Sequence, residues 1–253
     1  MKVSDLLGWL DEQAPFQSAE GFDNVGLLIG NAGSGVKGVF FGLDVTRELL
    51  EDAIQAGANV IITHHPFLFH PIKRLDTLSP MADCLRLILS NDLNIIAMHT
   101  NWDKAPGGIS DELACRFALE NRTAPDDFLR VGDLPTPMTG EELVTLVHRE
   151  LRIVPRLYGD PEKAVKRLAV AGGAYGEAAT FAKNFQADAL ITGEIRHHEI
   201  LEGVSRGLVL ICAEHYATEF PGLLALSSRF SGAFPQIKCD IFLKAPFSGA
   251  IDD

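Results

Sequence analysis

The chain has 253 residues, 47% of them hydrophobic and 22% charged, with a formal net charge of −12 at pH 7. That length allows one large α/β domain or two smaller ones, and the negative charge argues against a duplex-DNA or anionic-membrane partner. The four cysteines, Cys84, Cys115, Cys212 and Cys239, show no C-x-x-C spacing, so they read as free thiols of a reducing compartment and not as a zinc ribbon or disulfide frame.

Met1 to Trp9 carries no leader-like apolar core, and no apolar run reaches membrane-spanning length, so a cytoplasmic protein without a membrane partner is expected. Ser4 can cap a short amphipathic helix through Leu6, Leu7, Trp9 and Leu10, stopped before Pro15. Gly21-Phe22-Asp23-Asn24-Val25-Gly26 reads as a turn into the strand Leu27–Ile29, and Val36–Leu43 as a strand ending at Asp44. Thr46 caps a predicted helix through Leu49, Leu50, Ala53 and Ile54, which Gly57 ends. Ala58–Ile62 is apolar and rich in β-branched residues, a buried strand leading into Thr63-His64-His65-Pro66. Pro66 lacks an N–H and disfavours helix for its predecessor, so the chain leaves the sheet at the two histidines.

A helix around Met81–Leu89 and a strand Leu93–Met98 follow. Ser110, after the Gly107-Gly108 loop, is a candidate helix cap. The stretch 121–137, rich in Pro, Asp and Gly, reads as a domain boundary, and Thr139–Glu142 has the capping-box pattern.

A second βαβ series begins at Val165 and repeats the first. Ala58–Thr63 matches Ala187–Thr192, and Val36-Lys37 matches Val165-Lys166, at one offset of 129 residues (187 − 58 and 165 − 36). Gly193-Glu194 therefore stand where the first half has His64-His65. The strands Leu93–Met98 and Leu208–Ala213 each run into a His-x-x-x-carboxylate spacing, His99 to Asp103 and His215 to Glu219. Strands alternating with helices imply largely parallel sheets. The expected fold is α/β: two similar interlocked domains from an internal duplication, 1–125 and 126–253, with a site in the cleft between them. The segment after about 235 can pack back onto the first domain.

His64, His65, Asp103, His215 and Glu219 all lie at or just beyond a predicted strand end, where open α/β sheets place ligands. Imidazole with carboxylate and no thiolate suits zinc, manganese or iron(II) better than a soft metal. A mixed set this large suggests two divalent ions sharing a bridging Asp103 or Glu219. The plainer alternative is a coincidence of core histidines, capping carboxylates and a solvent-facing Glu219. His99 is a candidate proton shuttle or ligand-orienting residue, or else a packed histidine. Glu194 is a candidate general base or partner of a ligand, or else a favourable acid at a helix start. His197 or His198 can contact substrate or else belong to a polar helix start, Lys73 and Arg74 can hold a phosphate near the metals, and Asp23-Asn24 can line a pocket; these last are otherwise ordinary surface or turn. Gly172-Gly173-Ala174-Tyr175-Gly176 matches neither phosphate-loop nor dinucleotide pattern and reads as a tight βα turn.

Five stretches together resemble the Nif-three-like dinuclear-metal-centre family, whose bacterial members are often labelled GTP cyclohydrolase 1 type 2 homologs. They are Gly21–Leu27, Ile62–Pro66, Met98–Asp103, Ile191–Glu194 and Glu214–Glu219, in the family's order. The resemblance implies that His64, His65, Asp103, His215 and Glu219 ligate two metal ions, zinc, manganese or iron. It also implies a homohexameric ring, a toroidal trimer of dimers with the sites facing an internal cavity. Two functions follow as expectations. One is a metal-dependent hydrolase of a small nucleotide-like or phosphorylated substrate, with Glu194 or His99 moving protons; a purine cyclohydrolase is supported by the family label alone. The other is a non-enzymatic hexamer that stores metal, delivers it or acts as a regulatory assembly, its ring binding another protein. An enzyme keeps open coordination positions, whereas a structural site is closed.

Overall fold

Short apolar runs joined by amphipathic helices form parallel strands because a crossover helix can cover each face. The computed structural model describes residues 1–245. These divide into two units, Met1–Pro106 with Leu223–Lys244, and Gly107–Gly222. In chain order the first unit contains α1 (Val3–Gln13), β1 (Gly26–Ile29), β2 (Gly38–Gly42), α2 (Arg47–Gln55), β3 (Val60–Thr63), α3 (Pro80–Ser90), β4 (Asn94–Ala97) and α4 (Thr100–Lys104). The second contains α5 (Ile109–Arg116), β5 (Glu120–Thr123), β6 (Arg130–Thr139), α6 (Gly140–Leu151), β7 (Arg156–Tyr158), β8 (Ala164–Val170), β9 (Ala189–Thr192), α7 (His197–Ser205) and β10 (Val209–Cys212). Helix α8 (His215–Ala233) begins in the second unit and ends in the first, to which β11 (Lys238–Ile241) also belongs.

The first unit's sheet has the order β1-β4-β3-β2-β11, parallel except for β1 at its edge. Its three central strands are buried along their whole length, the pattern of a sheet covered on both faces. Phe40, Ile61 and Ile95 pack with Leu49, Leu50 and Ala53 of α2 and Ile88 of α3. The neighbouring Phe41 points the other way, to Phe230 of α8, and Trp9 of α1 sets its ring edge against Phe230. Thr46 caps α2 through the Leu49 N–H, as its sequence predicts.

The second unit's sheet has the order β5-β6-β8-β9-β10-β7, with β8, β9 and β10 parallel. Its two faces carry separate cores, one around Leu143, Val147, Leu168 and Ile211, the other around Leu129, Ala169, Leu190 and Leu210. The register repeats between the units. Val39 pairs with Val60 and Leu168 with Ala189, so both strands of the pair are displaced by 129 residues (168 − 39 and 189 − 60). Among the described residues no helix is long and apolar enough to cross a membrane.

Two cap assignments differ from expectation. α1 begins at Val3, and Asp5 rather than Ser4 accepts the Lys2 N–H, at 2.7 Å. α5 begins after Gly108, because the Ser110 hydroxyl is drawn off to the Phe128 carbonyl (2.6 Å) while Asp111 accepts the Gly107 N–H (2.7 Å). The stretch 121–137 also holds more regular structure than its composition predicts: it contains most of β5 and β6. Its Leu134-Pro135-Thr136-Pro137 segment falls where the β6–β8 register shifts, so the prolines occupy an irregularity that spares the ladder.

Glu199 of α7 is a buried acid, accepting the Arg196 backbone N–H at 2.7 Å and the Arg196 Nε–H at 2.8 Å. Burial alone would raise its pKa, but the Arg196 hydrogen bonds and charge outweigh that and hold it below the ordinary 4.5. A folded-state pKa below the unfolded one stabilises the fold above the unfolded value, and the gain is lost as pH falls through the folded one. The stability advantage of wild type over Glu199→Gln, measured by denaturant unfolding, should therefore be full near neutral pH and shrink steadily below about pH 4.5.

Candidate metal centre

In the first unit three parallel strands stop at one edge and hand over polar residues there. His64 and His65 follow β3, and their N–H groups donate to Gly42 and Leu43 carbonyls, continuing the ladder one step past the strand. Asp44 lies two residues beyond β2, and His99 two beyond β4, at the residue preceding α4 and ahead of Asp103. The rings of His64, His65 and His99 gather with centroids 5.0, 5.1 and 5.6 Å apart. One nitrogen from each lies within 4.8 Å of the others, a spacing that suits a shared cation. Asp103 Oδ1 approaches His64 Nε2 at 3.5 Å.

The second unit repeats the device with other residues. β9 leads into Gly193-Glu194 and β10 into Glu214-His215, and the β8 chain turns at Gly172-Gly173. His215 and Glu219 are one turn apart on α8, with Nε2 and Oε1 separated by 2.9 Å. Glu219 is buried, while His215 is half-buried. Glycine backbone closes over the pair. Gly173 has φ +60°, and a Cβ there would overlap Glu219 Oε1 and stand 3.2 Å from His215 Nε2. A Cβ on Gly193 would meet the His215 Cα and the Gly173 carbonyl, each at 2.7 Å. The turn is held by Gly173 N–H donating to Thr218 Oγ1 (3.0 Å) and Glu194 N–H donating to the Gly173 carbonyl (3.0 Å).

All four of these histidines are anchored the same way. His64 Nδ1 lies 2.8 Å from the Met98 carbonyl, His65 Nδ1 2.8 Å from Asp44 Oδ1, His99 Nδ1 2.8 Å from Asp23 Oδ1, and His215 Nδ1 2.8 Å from Glu194 Oε1. A carbonyl or ionised carboxylate only accepts, so Nδ1 carries the proton and Nε2 keeps the lone pair in the neutral ring. That tautomer, with an oxygen behind the ring, is the usual preparation of a metal-ligating imidazole. Two electron-rich atoms 2.9 Å apart, His215 Nε2 and Glu219 Oε1, also need a proton or a cation between them. The donor set therefore fits a divalent metal.

Asp23 fixes more than His99. It accepts from the Thr100 N–H at 3.0 Å and from the Thr100 hydroxyl. Burial pushes its pKa up, but the hydrogen bonds from His99, Thr100 and the Asn24 N–H overcome this and hold it far below the ordinary carboxylate value. Asp23 is thus held as a carboxylate behind His99, its side chain buried against His99 and Thr100 and not lining a described cavity. Glu194 is the partner of His215. His197 and His198 are exposed at the start of α7, and Lys73 and Arg74 are exposed in the loop between β3 and α3. Asp44 went unnoticed in the sequence as a site residue. Its signal was an acid two residues past a buried strand end.

The glycine cradle makes a steric prediction. Gly173→Ala should cost about 1–3 kcal/mol of stability, since a non-glycine residue is held at positive φ, and should displace Glu219 from His215. Thermal unfolding reads the first effect and metal content the second. Wild-type metal content in this variant would show that the pair has no part in holding metal.

A family profile described as Duf34/NIF3 (NGG1p interacting factor 3) matches residues 1–245. The chain is 30% identical over 243 residues to a Clostridium acetobutylicum protein named GTP cyclohydrolase 1 type 2 homolog, covering 92% of this chain and 91% of that one. It is similar to the crystal structure of Staphylococcus aureus hypothetical protein SA1388, with a TM-score of 0.91, 28% identity and coverage of 98% and 99%. It is also similar to the structure of reduced HcgD from Methanocaldococcus jannaschii, with a TM-score of 0.82, 26% identity and coverage of 96% and 98%. With nearly its whole length matched, the chain belongs to the Duf34/NIF3 family.

Proposed function

We propose that His64, His65, Asp103, His215 and Glu219 hold two divalent metal ions, and that the protein is a metal-dependent hydrolase of a small nucleotide-like or phosphorylated molecule. The observation that carries the reading is the common anchoring of the histidines: each Nδ1 is engaged by a fixed oxygen, which readies each Nε2 for a cation. Bound there, zinc, manganese or iron(II) would supply Lewis-acid activation of a water and of the bond under attack. The names of relatives such as the Clostridium acetobutylicum protein support a cyclohydrolase-like version of this chemistry.

The remaining roles belong to the chain itself. Asp44, Asp23 and Glu194 orient His65, His99 and His215 by accepting from their Nδ1–H groups. His99, backed by Asp23, is the candidate for taking or delivering a proton at Nε2. Glu194 is exposed beside His215 and is the second candidate, as a general base. Assembly as a homohexamer, implied by the family resemblance, belongs to the same proposal.

Metal analysis of the purified protein, joined to a turnover panel of nucleotides and phosphoesters, tests this directly. Wild type should take up two ions per chain, and His65→Ala and His215→Ala should each lower that content and abolish turnover. If His65→Ala removed metal and left every detected turnover intact, the hydrolase reading would be lost. Tight metal uptake with no turnover on any panel compound would move the assignment to storage or delivery. Asp44→Asn should leave the fold unchanged and weaken metal binding about 10–100-fold, the usual cost of losing the oxygen behind a ligating imidazole; calorimetric titration with zinc reads this.

A further inference from the structure

The second unit contains a cavity of about 300 Å³ lined by Arg156, Gly193, Glu194, Cys212, Glu214 and His215. His215 and Glu194 already have parts in the proposed centre, whereas Arg156 has none. Arg156 opens β7, which runs antiparallel to β10 and places Arg156 opposite Cys212, the last residue of β10. It therefore stands at the carboxyl edge of the parallel strands, the edge at which open α/β sheets bind ligands. Its charge reaches the half-buried Cys212 thiol. Its guanidinium makes no hydrogen bond or ion pair among the described residues, although two carboxylates line the same cavity. Glu194 Oε1 is occupied by His215. A solvated arginine on an edge strand is ordinary, but one set in the wall of a cavity beside a candidate metal ligand presents a fork of N–H donors to whatever enters.

We infer that Arg156 is the anion-recognition residue of this cavity and takes a phosphate group of the substrate beside His215. The inference rests on the metal-dependent reading above and names the substrate class for that site. The planar guanidinium matches two phosphate oxygens at once, and phosphate keeps a third terminal oxygen for the His215 side, whereas a carboxylate is used up by the fork. Charge sets a condition. Without a cation, the cavity offers one guanidinium against Glu194 and Glu214, and a phosphate is repelled. A divalent ion at His215 reverses that balance. Phosphate therefore binds only to metal-loaded protein.

The test uses the full chain loaded with Mn²⁺ and inorganic phosphate as the probe. Metal content is measured first, and phosphate is then followed by paramagnetic relaxation of its ³¹P signal, which needs no turnover. Wild type should show saturable broadening that chelator-stripped protein lacks. Arg156→Gln should weaken phosphate about tenfold or more while holding the same amount of manganese, and Arg156→Lys should recover part of the loss, since it restores charge without the fork. Equal phosphate affinity in wild type and Arg156→Gln overturns the inference. So does acetate competing as strongly as phosphate, or phosphate binding that ignores the metal. A wild type that takes up no manganese, zinc or iron(II) instead removes the metal reading itself, and the inference with it.

Discussion

An imidazole can hold a divalent cation only if one ring nitrogen keeps its lone pair and the ring cannot turn away. In this protein both conditions are met at strand ends by oxygen atoms that the backbone places. The carbonyl of Met98 stands behind His64 because β4 continues the ladder beside β3. Asp44 stands behind His65 because β2 ends level with β3 on the other side. The ring orientations are consequences of parallel register, since a strand slipped by one residue would turn each of these side chains to the opposite face.

The second unit reaches a similar end by a different route. His215 and Glu219 are brought together by one turn of helix, a local contact, and Glu194 comes from the neighbouring strand end. What this unit adds is closeness of backbone. Gly173 and Gly193 let main chain lie against the pair where any Cβ would intrude. Backbone so near shields the Glu219 carboxylate from water and lowers the dielectric around it, which would strengthen its interaction with a bound cation. The buried position of Glu219, set against the half-buried His215, reflects this enclosure.

Charge gives the two units a shared logic. The protein is acidic overall, and the residues around the histidines are mostly carboxylates: Asp23, Asp44, Glu194 and Glu214. Such surroundings favour cations and disfavour anionic substrates until a cation is present. Arg156 is the exception on the wall of the second unit's cavity, and its position at the strand edge gives an anion one direction of approach.

Much of this was legible in the sequence by itself. Local rules sufficed for the βαβ order, the Thr46 and Thr139 caps, the buried strands before His64, His99 and Glu194, and the offset of 129 residues that reappears as strand register. These features depend on hydrophobic period, capping chemistry and repeat spacing, all of which are written within a few residues. Tertiary structure decided the rest. Asp44, Asp23 and Glu194 became histidine partners through contacts spanning 21, 76 and 21 residues. Ser110 lost its expected cap role to a carbonyl 18 residues away, and a Pro-rich stretch became strand because an irregular register could absorb it. Which oxygen stands behind which ring, and which glycine leaves room for which carboxylate, are properties of strands brought side by side. No window of the chain contains both partners, so only the folded sheet could assign them.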